Sequence, residues 1–163
     1  MAKECGDYTS LVLFFNEKAK TLEECEHDFW RLLTEVSLYD ELPWPSHIPK
    51  DPSDQLWEYC FHGEQYFVYC ATPYHEQRNS RYFPYFMVAL TPRWVLDTFN
   101  SNQQKAETIR NRIRERLEAY DDIAPHPQLK QYGSSENHEW KQYFLRDEDS
   151  ELSQCPFHHQ NPD

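Results

Sequence analysis

The chain has three glycines among 163 residues and contains no CxxC pair, no HExxH motif and no long apolar run. So few glycines leave no glycine-rich phosphate-binding loop, which argues against nucleotide-dependent chemistry. The five cysteines are odd in number and unpaired in spacing, which predicts reduced thiols and a cytoplasmic location. No apolar segment approaches the ~20 residues that span a bilayer, so we expect no membrane partner.

Positive charge is also scarce, because 16 Lys and Arg residues face 28 Asp and Glu residues and the net charge is −12. Phosphate contacts require a positive surface, so the composition predicts no nucleic-acid partner. An acidic surface can instead attract a cationic ligand. Aromatic residues are abundant at 16%, a content that suits an aromatic core and also a flat ligand slot.

The pattern of apolar residues predicts an α+β fold: an antiparallel sheet of about four strands packed by two main helices, with Pro-rich irregular segments. The predicted strands cover residues 10–15, 56–61, 65–71 and 85–90, and the first is apolar throughout, which indicates a buried strand. Residues 62–64 form a hairpin signal. Helices are predicted from a capping box at Thr21 to about Tyr39, and over about residues 103–120. A further helix start is predicted at Thr91-Pro92.

The length predicts a single domain over residues 1–163. Residues 1–9 and 146–163 are mostly polar, and we expect both ends to be loose. The predicted helix 103–120 has an apolar stripe of Ile109, Ile113, Leu117 and Tyr120. It also carries five cations, which form either a solvated face or a cluster that holds carboxylates or porphyrin propionates: Lys105, Arg110, Arg112, Arg114 and Arg116.

A polar loop between two predicted strands contains His75, Arg78 and Arg81. Loops that rigid elements hold in place are common sites of binding chemistry. No histidines or cysteines have the spacing of a structural zinc site, whereas a haem needs one axial ligand, an apolar slot and cations. The candidate ligands are His126 between two prolines, His75 in the loop and Cys155 in a Cys-Pro dipeptide. Spacing alone does not choose among them.

The chain resembles the YqcI/YcgG family at residues 72–81 (TPYHEQRNSR). The resemblance continues over nearly all of the chain, through 90–95 (LTPRWV), 126–129 (HPQL), 132–133 (YG), 137–144 (NHEWKQYF) and 155–157 (CPF). Family members usually begin with a further segment that contains a Phe-Pro-Cys motif, and nothing in this sequence matches it. Many relatives also carry His where this chain has Thr72.

Within the family, the chain is similar to a branch of haem-dependent N-hydroxylases that act on guanidines. The resemblance implies haem b, O2 and an external reductant, with one oxygen atom inserted into an N–H bond of a small guanidine or amine substrate. It implies iron ligation by His126 first, His75 second and Cys155 third. Arg78, Arg81 and Arg93 are the implied contacts for propionates or a substrate carboxylate. Glu139 is the implied contact for a cationic substrate.

The haem hypothesis predicts a flat, ring-lined crevice beside His126. Three alternatives remain open from the sequence: a non-catalytic haem-binding or haem-sensing module, a non-haem iron enzyme, and an interaction domain. A homodimer is a further option.

Overall fold

The structure is a computed structural model that describes residues 6–16 and 21–158. It confirms the α+β prediction, since these residues form a four-stranded antiparallel sheet and three helices. The strands are β1 (Leu11–Phe15), β2 (Tyr59–Phe61), β3 (Glu64–Ala71) and β4 (Phe86–Pro92). The helices are α1 (Leu22–Ser37), α2 (Arg93–Asn100) and α3 (Gln103–Tyr120). The strand order is β1-β4-β3-β2, which makes β1 and β2 the two edges.

Helix α1 covers one face of the sheet. Thr21 caps it by accepting a hydrogen bond from the Glu24 N–H at 3.1 Å, as the capping box predicts. Its apolar side chains recur at helical spacing and therefore share one face. That face packs on alternate residues of β3 and β4, and the buried core comprises Cys25, Phe29, Trp30, Leu33, Tyr66, Val68, Cys70, Phe86 and Val88 together with rings from later segments.

The predicted hairpin is confirmed as β2 and β3, although β2 is shorter than predicted. Phe61 pairs with Glu64, which leaves His62 and Gly63 as the two loop residues. Both have positive φ, 52° and 75° respectively. Two-residue hairpin loops favour this backbone because its twist matches that of the flanking strands.

The prediction that residues 10–15 form a buried strand is half wrong. The strand exists, but β1 lies at the edge of the sheet, where it pairs with β4 alone. All four side chains from Leu11 to Phe14 are exposed. The apolar run indicates a strand correctly, whereas burial depends on strand order, which a local pattern does not encode.

The predicted apolar stripe of α3 is also largely unburied. The structure describes every residue of α3, and Ala106 alone is buried. Ile113 and Tyr120 are both exposed. The helix contacts mainly α2 and the short 3-10 turn at Asn79–Arg81, so it lies at the periphery of the sheet.

Residues 150–158, which we call the C-terminal strap, have no helix or strand. Phe157 nevertheless lies in the core, with ring-centroid distances of 5.6 Å to Trp57 and 5.5 Å to Tyr59. Glu151 holds the strap further along, through Lys141 Nζ at 2.7 Å. Among the described helices, none has the length and apolar composition that a bilayer span requires.

Candidate functional site

The loop between β3 and β4 is held by two buried arginines. The Arg81 guanidinium donates to the carbonyls of Cys70, Tyr143 and Gln142 at 3.0–3.3 Å. Arg78 donates to the carbonyls of Arg146 and Ala124 and to the carboxylate of Asp149, at 2.6–3.0 Å. Both side chains therefore connect this loop to the later irregular segments. Their charges are directed at protein groups rather than at an open site.

His75 lies in the same loop and is 3% exposed. Its Nδ1 is 2.9 Å from the Thr72 hydroxyl, and its Nε2 is 2.8 Å from the Leu145 carbonyl. Burial lowers the pKa of this imidazole, so the neutral ring donates from Nε2 to the carbonyl and accepts at Nδ1 from the hydroxyl. Iron ligation by His75 requires the loss of one of these two hydrogen bonds.

His126 is equally buried, but its two ring nitrogens differ. Nδ1 accepts a hydrogen bond from the Gln128 N–H at 3.2 Å, whereas Nε2 has no hydrogen-bond partner. Burial lowers the pKa of His126, and the charge of Arg78 lowers it further. In a neutral ring whose Nδ1 is an acceptor, Nε2 carries the hydrogen. Nε2 of His126 therefore carries an N–H without a partner at hydrogen-bond geometry, although the nearby Ser150 backbone acts to raise the pKa of the ring. Iron ligation at Nε2 requires the other tautomer.

The space beside His126 is small. It has a volume of about 10 Å³ and is walled by Trp30, Trp140, Phe144 and Leu152. A cavity of this size is near the lower limit for one water molecule, whereas ligand pockets occupy ~300–1,000 Å³. The predicted ring-lined crevice exists, but the protein's own side chains fill it, including Leu152 of the C-terminal strap.

Cys155 borders a larger space. It lies beside an open groove of about 480 Å³ that is also lined by His138, Trp140 and Phe157. Burial raises the pKa of the Cys155 thiol to about 12. Because the thiolate is the form that binds metals, this environment opposes ligation.

The described arrangement does not fit an iron porphyrin at His75, His126 or Cys155. Both ring nitrogens of His75 already have hydrogen-bond partners. The space beside His126 is too small for a porphyrin, and the Cys155 thiol keeps its proton at neutral pH because its pKa is about 12. Across residues 6–16 and 21–158, no group of three or more His, Cys, Asp or Glu side chains is arranged to hold a metal ion. The non-haem iron alternative therefore gains no support from these residues.

Arg93 and Glu139 meet in a buried group that we call the Arg93 cluster: Glu58, Arg93, Tyr132, Asn137 and Glu139. Arg93 Nε donates to Glu58 Oε2 at 2.7 Å, and Nη2 donates to the other oxygen of Glu58 and to Glu139 Oε1. The guanidinium carbon lies 3.9 Å from the centroid of the Tyr132 ring. Asn137 Nδ2 donates to Glu139 Oε2 at 2.8 Å, so both oxygens of Glu139 are already engaged.

Burial and ion pairing oppose each other in the Arg93 cluster, and burial wins at Glu58 whereas ion pairing wins at Arg93. Burial is the larger effect on Glu58. It raises the pKa of Glu58 to about 7, although Arg93 acts to lower it. Burial lowers the pKa of Arg93, but the two carboxylates outweigh it and the pKa is raised overall. Glu58 escaped the sequence reasoning. The sequence could have pointed to it, because Glu58 stands between Trp57 and Tyr59 in a predicted strand. An acidic side chain in such a place is buried only when it is paired with another group.

In contrast to the buried arginines described above, several basic side chains border an open groove along α3. An open groove of about 570 Å³, which we call the α3 groove, is lined by Glu107, Arg110, Ile113, Arg114 and Lys130 among others. Arg114 donates to the Leu129 carbonyl at 3.1 Å, and Arg110 donates to Asn100 Oδ1 at 2.8 Å. Three cations and one carboxylate thus border a space that a small zwitterion can enter.

The structure defines an α+β protein in which buried polar networks join the sheet and helices to the irregular segments. The chain belongs to the YqcI/YcgG family, whose model matches residues 1–158. It is 47% identical over 162 residues to YqcI of Bacillus subtilis strain 168, and 48% identical over 162 residues to YcgG of that strain. Both are uncharacterised, and each match covers 96% of this chain and 64% of the relative.

A third relative carries a functional description. This is a Streptomyces lavendulae protein with the provisional name N(omega)-hydroxy-L-arginine synthase DcsA, 35% identical over 152 residues. The match covers 90% of this chain and 57% of DcsA. The chain thus spans less than two thirds of the length of each of these relatives. No solved structure matches it.

Proposed function

We propose that the chain acts in the hydroxylation of a nitrogen atom in a small guanidine or amine that resembles arginine. The observation that carries this proposal is the 35% identity to DcsA over 90% of the chain. A shared fold alone does not imply a shared reaction. We therefore propose the reaction class for this chain, whereas arginine as the substrate is named only for DcsA.

The α3 groove is the proposed substrate site. Arg78, Arg81 and Arg93 are buried among protein acceptors, whereas Arg110, Arg114 and Lys130 line an open groove and can meet a ligand carboxylate there. Glu107 lies in the same groove and carries the charge that suits a guanidinium or ammonium group. This pairing of charges matches a zwitterion with a cationic side chain.

Haem b is the proposed cofactor, with O2 and an external reductant as co-substrates. Insertion of oxygen into an N–H bond requires O2 activation, which a bound haem supplies and amino-acid side chains do not. Because no porphyrin fits beside the three candidate ligands as described, binding requires the C-terminal strap to leave the aromatic core or requires polypeptide outside the described residues.

The first test is an absorption spectrum of the chain expressed with a haem supply. We expect a Soret band, and we expect His75→Ala to retain it because both ring nitrogens already have protein partners. Loss of the band in His126→Ala assigns the iron ligand to His126, and loss in Cys155→Ala assigns it to the groove beside Trp140. A chain that takes up no haem under these conditions contradicts the cofactor proposal.

The second measurement is O2 consumption and hydroxylated product with arginine and simple guanidines. We expect product, and we expect Arg114→Met to raise KM more than it lowers kcat, since it removes a charge that binds substrate. Arg31→Met, on the exposed face of α1, is the matched control. Haem uptake with no product favours the non-catalytic haem-binding alternative.

A further inference from the structure

The edge of the sheet that β1 forms is apolar on both faces. Leu11, Val12, Leu13 and Phe14 of β1 are 47%, 40%, 36% and 58% exposed. Phe14 also touches Phe83, with ring centroids 5.3 Å apart, and Phe83 in turn approaches Tyr85, which is 56% exposed. We call this surface the β1 patch.

Among residues 6–16 and 21–158, the β1 edge has none of the usual protection against strand pairing. Natural sheets protect edge strands with charged residues, prolines, bulges or a covering element. Residues 8–16 (YTSLVLFFN) contain no charge and no proline, and β1 pairs with β4 in unbroken register from Leu11 to Phe15. On its other side, β1 therefore presents a row of backbone donors and acceptors.

We propose that the β1 patch is the interface of a homodimer in which β1 pairs antiparallel with β1 of a second copy across a twofold axis at Leu13. This pairing sets Leu11 against Phe15 and Val12 against Phe14 of the second copy, so apolar side chains meet on both faces. It joins two four-stranded sheets into one sheet of eight strands. Such an interface is self-complementary, as a twofold requires.

Charge favours this edge over other surfaces. Each copy carries a net charge of −12, so two copies repel each other wherever acidic faces approach. The uncharged stretch 8–16 is a place where contact costs the least repulsion. Because salt screens the remaining long-range repulsion, the dimer becomes stronger as ionic strength rises.

The area of the β1 patch predicts a weak, concentration-dependent dimer. Aromatic side chains carry ~150–250 Å² each, so the half-exposed Phe14 and Tyr85 provide on the order of 100 Å² apiece. With three partly exposed aliphatic side chains, the patch offers roughly 400 Å² per copy. A standard interface buries ~800 Å² per partner, so the backbone pairing and the flanks must supply the remainder.

Sedimentation velocity on the full chain, over a dilution series and at two salt concentrations, tests the proposal. We expect a monomer–dimer equilibrium that shifts toward dimer at high salt. Leu13→Lys places two like charges opposite each other at the twofold, so we expect the dissociation constant to rise at least about tenfold. Leu38→Lys is the control, because Leu38 is 50% exposed away from the sheet; its effect should stay within about twofold.

A charge-swap experiment separates the interface from misfolding. Leu13→Lys and Leu13→Glu are each expected to be monomeric with an unchanged circular dichroism spectrum. Mixed in equal amounts, they should form a heterodimer, since opposite charges then meet at the axis. A wild-type chain that stays monomeric up to about 1 mM, or a dimer that survives both substitutions, overturns the proposal.

Discussion

The Arg93 cluster and the surroundings of His126 are two buried polar regions that are paired in opposite ways. In the Arg93 cluster each carboxylate oxygen of Glu58 and Glu139 has a hydrogen-bond partner. At His126 the Nε2 atom is buried without one, next to a space of about 10 Å³. Buried polar atoms are nearly always paired, so an exception calls for a specific explanation.

The comparison separates the residues that maintain the fold from those that can change partners. Substrate cannot reach Glu139 or Arg93 unless their existing bonds break, whereas Nε2 of His126 has only its weak contact with the Ser150 backbone to exchange for a small molecule such as water. Charged residue types alone do not make this distinction, because both regions contain the residues that a binding site would use.

Removal of the cation from the Arg93 cluster should have the largest effect. Arg93→Met removes the counter-charge of Glu139 and of the ionised form of Glu58, and breaking a buried pair in this way costs about 3–5 kcal/mol of unfolding free energy. Urea unfolding at neutral pH measures it. Arg31→Met is the control, since Arg31 is exposed and its pairs with Asp28 and Glu35 are worth at most about 1 kcal/mol. Equal losses in the two variants would contradict a structural role for the cluster.

The pH dependence of stability should report Glu58. Its pKa is about 7 in the folded protein against an ordinary value of 4.5, so the folded state holds a proton that the unfolded state releases. The contribution of Glu58 to stability is therefore full below pH 4.5 and is lost as pH rises through 7, a change of about 3 kcal/mol.

The measurement compares the slope of unfolding free energy against pH in the wild type and in Glu58→Gln. The slope is compared because the substitution also weakens the bond to Arg93, and this loss lowers the free energy of unfolding by a similar amount at every pH. We expect Glu58→Gln to remove a decline between about pH 5 and 7. Glu35→Gln, on the exposed side of α1, should leave the slope unchanged. An identical slope in Glu58→Gln means that Arg93 keeps Glu58 ionised.

His126→Asn should have the smallest effect. The Asn side-chain oxygen can accept the Gln128 N–H in place of Nδ1, while the unpaired donor is removed, so stability at neutral pH should change by less than about 1 kcal/mol. Because the pKa of His126 is lowered in the folded state, the unfolded chain takes up the proton first as pH falls below about 6.5. His126 thus contributes stability at neutral pH that is lost on acidification.

Unfolding at pH 7 and pH 5.5 checks this prediction. The loss between the two should be smaller in His126→Asn than in the wild type, and His27→Asn on exposed α1 should match the wild type. A large loss at pH 7 would show that Nε2 has a partner of its own, such as a bound water that bridges it to the strap.

The elements with a strong local signal were predictable from sequence. The N-cap at Thr21, the helix that follows it and the turn at His62-Gly63 each depend on residues that are close in sequence, and all three are confirmed. The position of β1 was not predictable, because strand order is set by contacts between distant segments. The same holds for α3, whose apolar stripe reads like that of α1 but has little to pack against.

The same contrast between local signals and long-range contacts holds for the candidate site. Sequence identified His75, His126, Arg78, Arg81 and Arg93 as candidate site residues, and the structure buries all five. It did not reveal that the Leu145 carbonyl, 70 positions from His75, accepts from its ring, or that Glu58 is a partner of Arg93 from 35 positions away. Long-range partners decide whether a residue is free to react, and a local pattern contains no record of them.

The aromatic core has an optical consequence. Trp30 and Trp140 have ring centroids 6.1 Å apart, Trp44 and Trp57 are 6.2 Å apart, and Tyr143 touches one ring of each pair. Four of the five tryptophans therefore form one fluorescent group directly beneath the C-terminal strap. Departure of the strap would let solvent reach these indoles and shift their emission to the red, whereas a porphyrin settling among them would quench it.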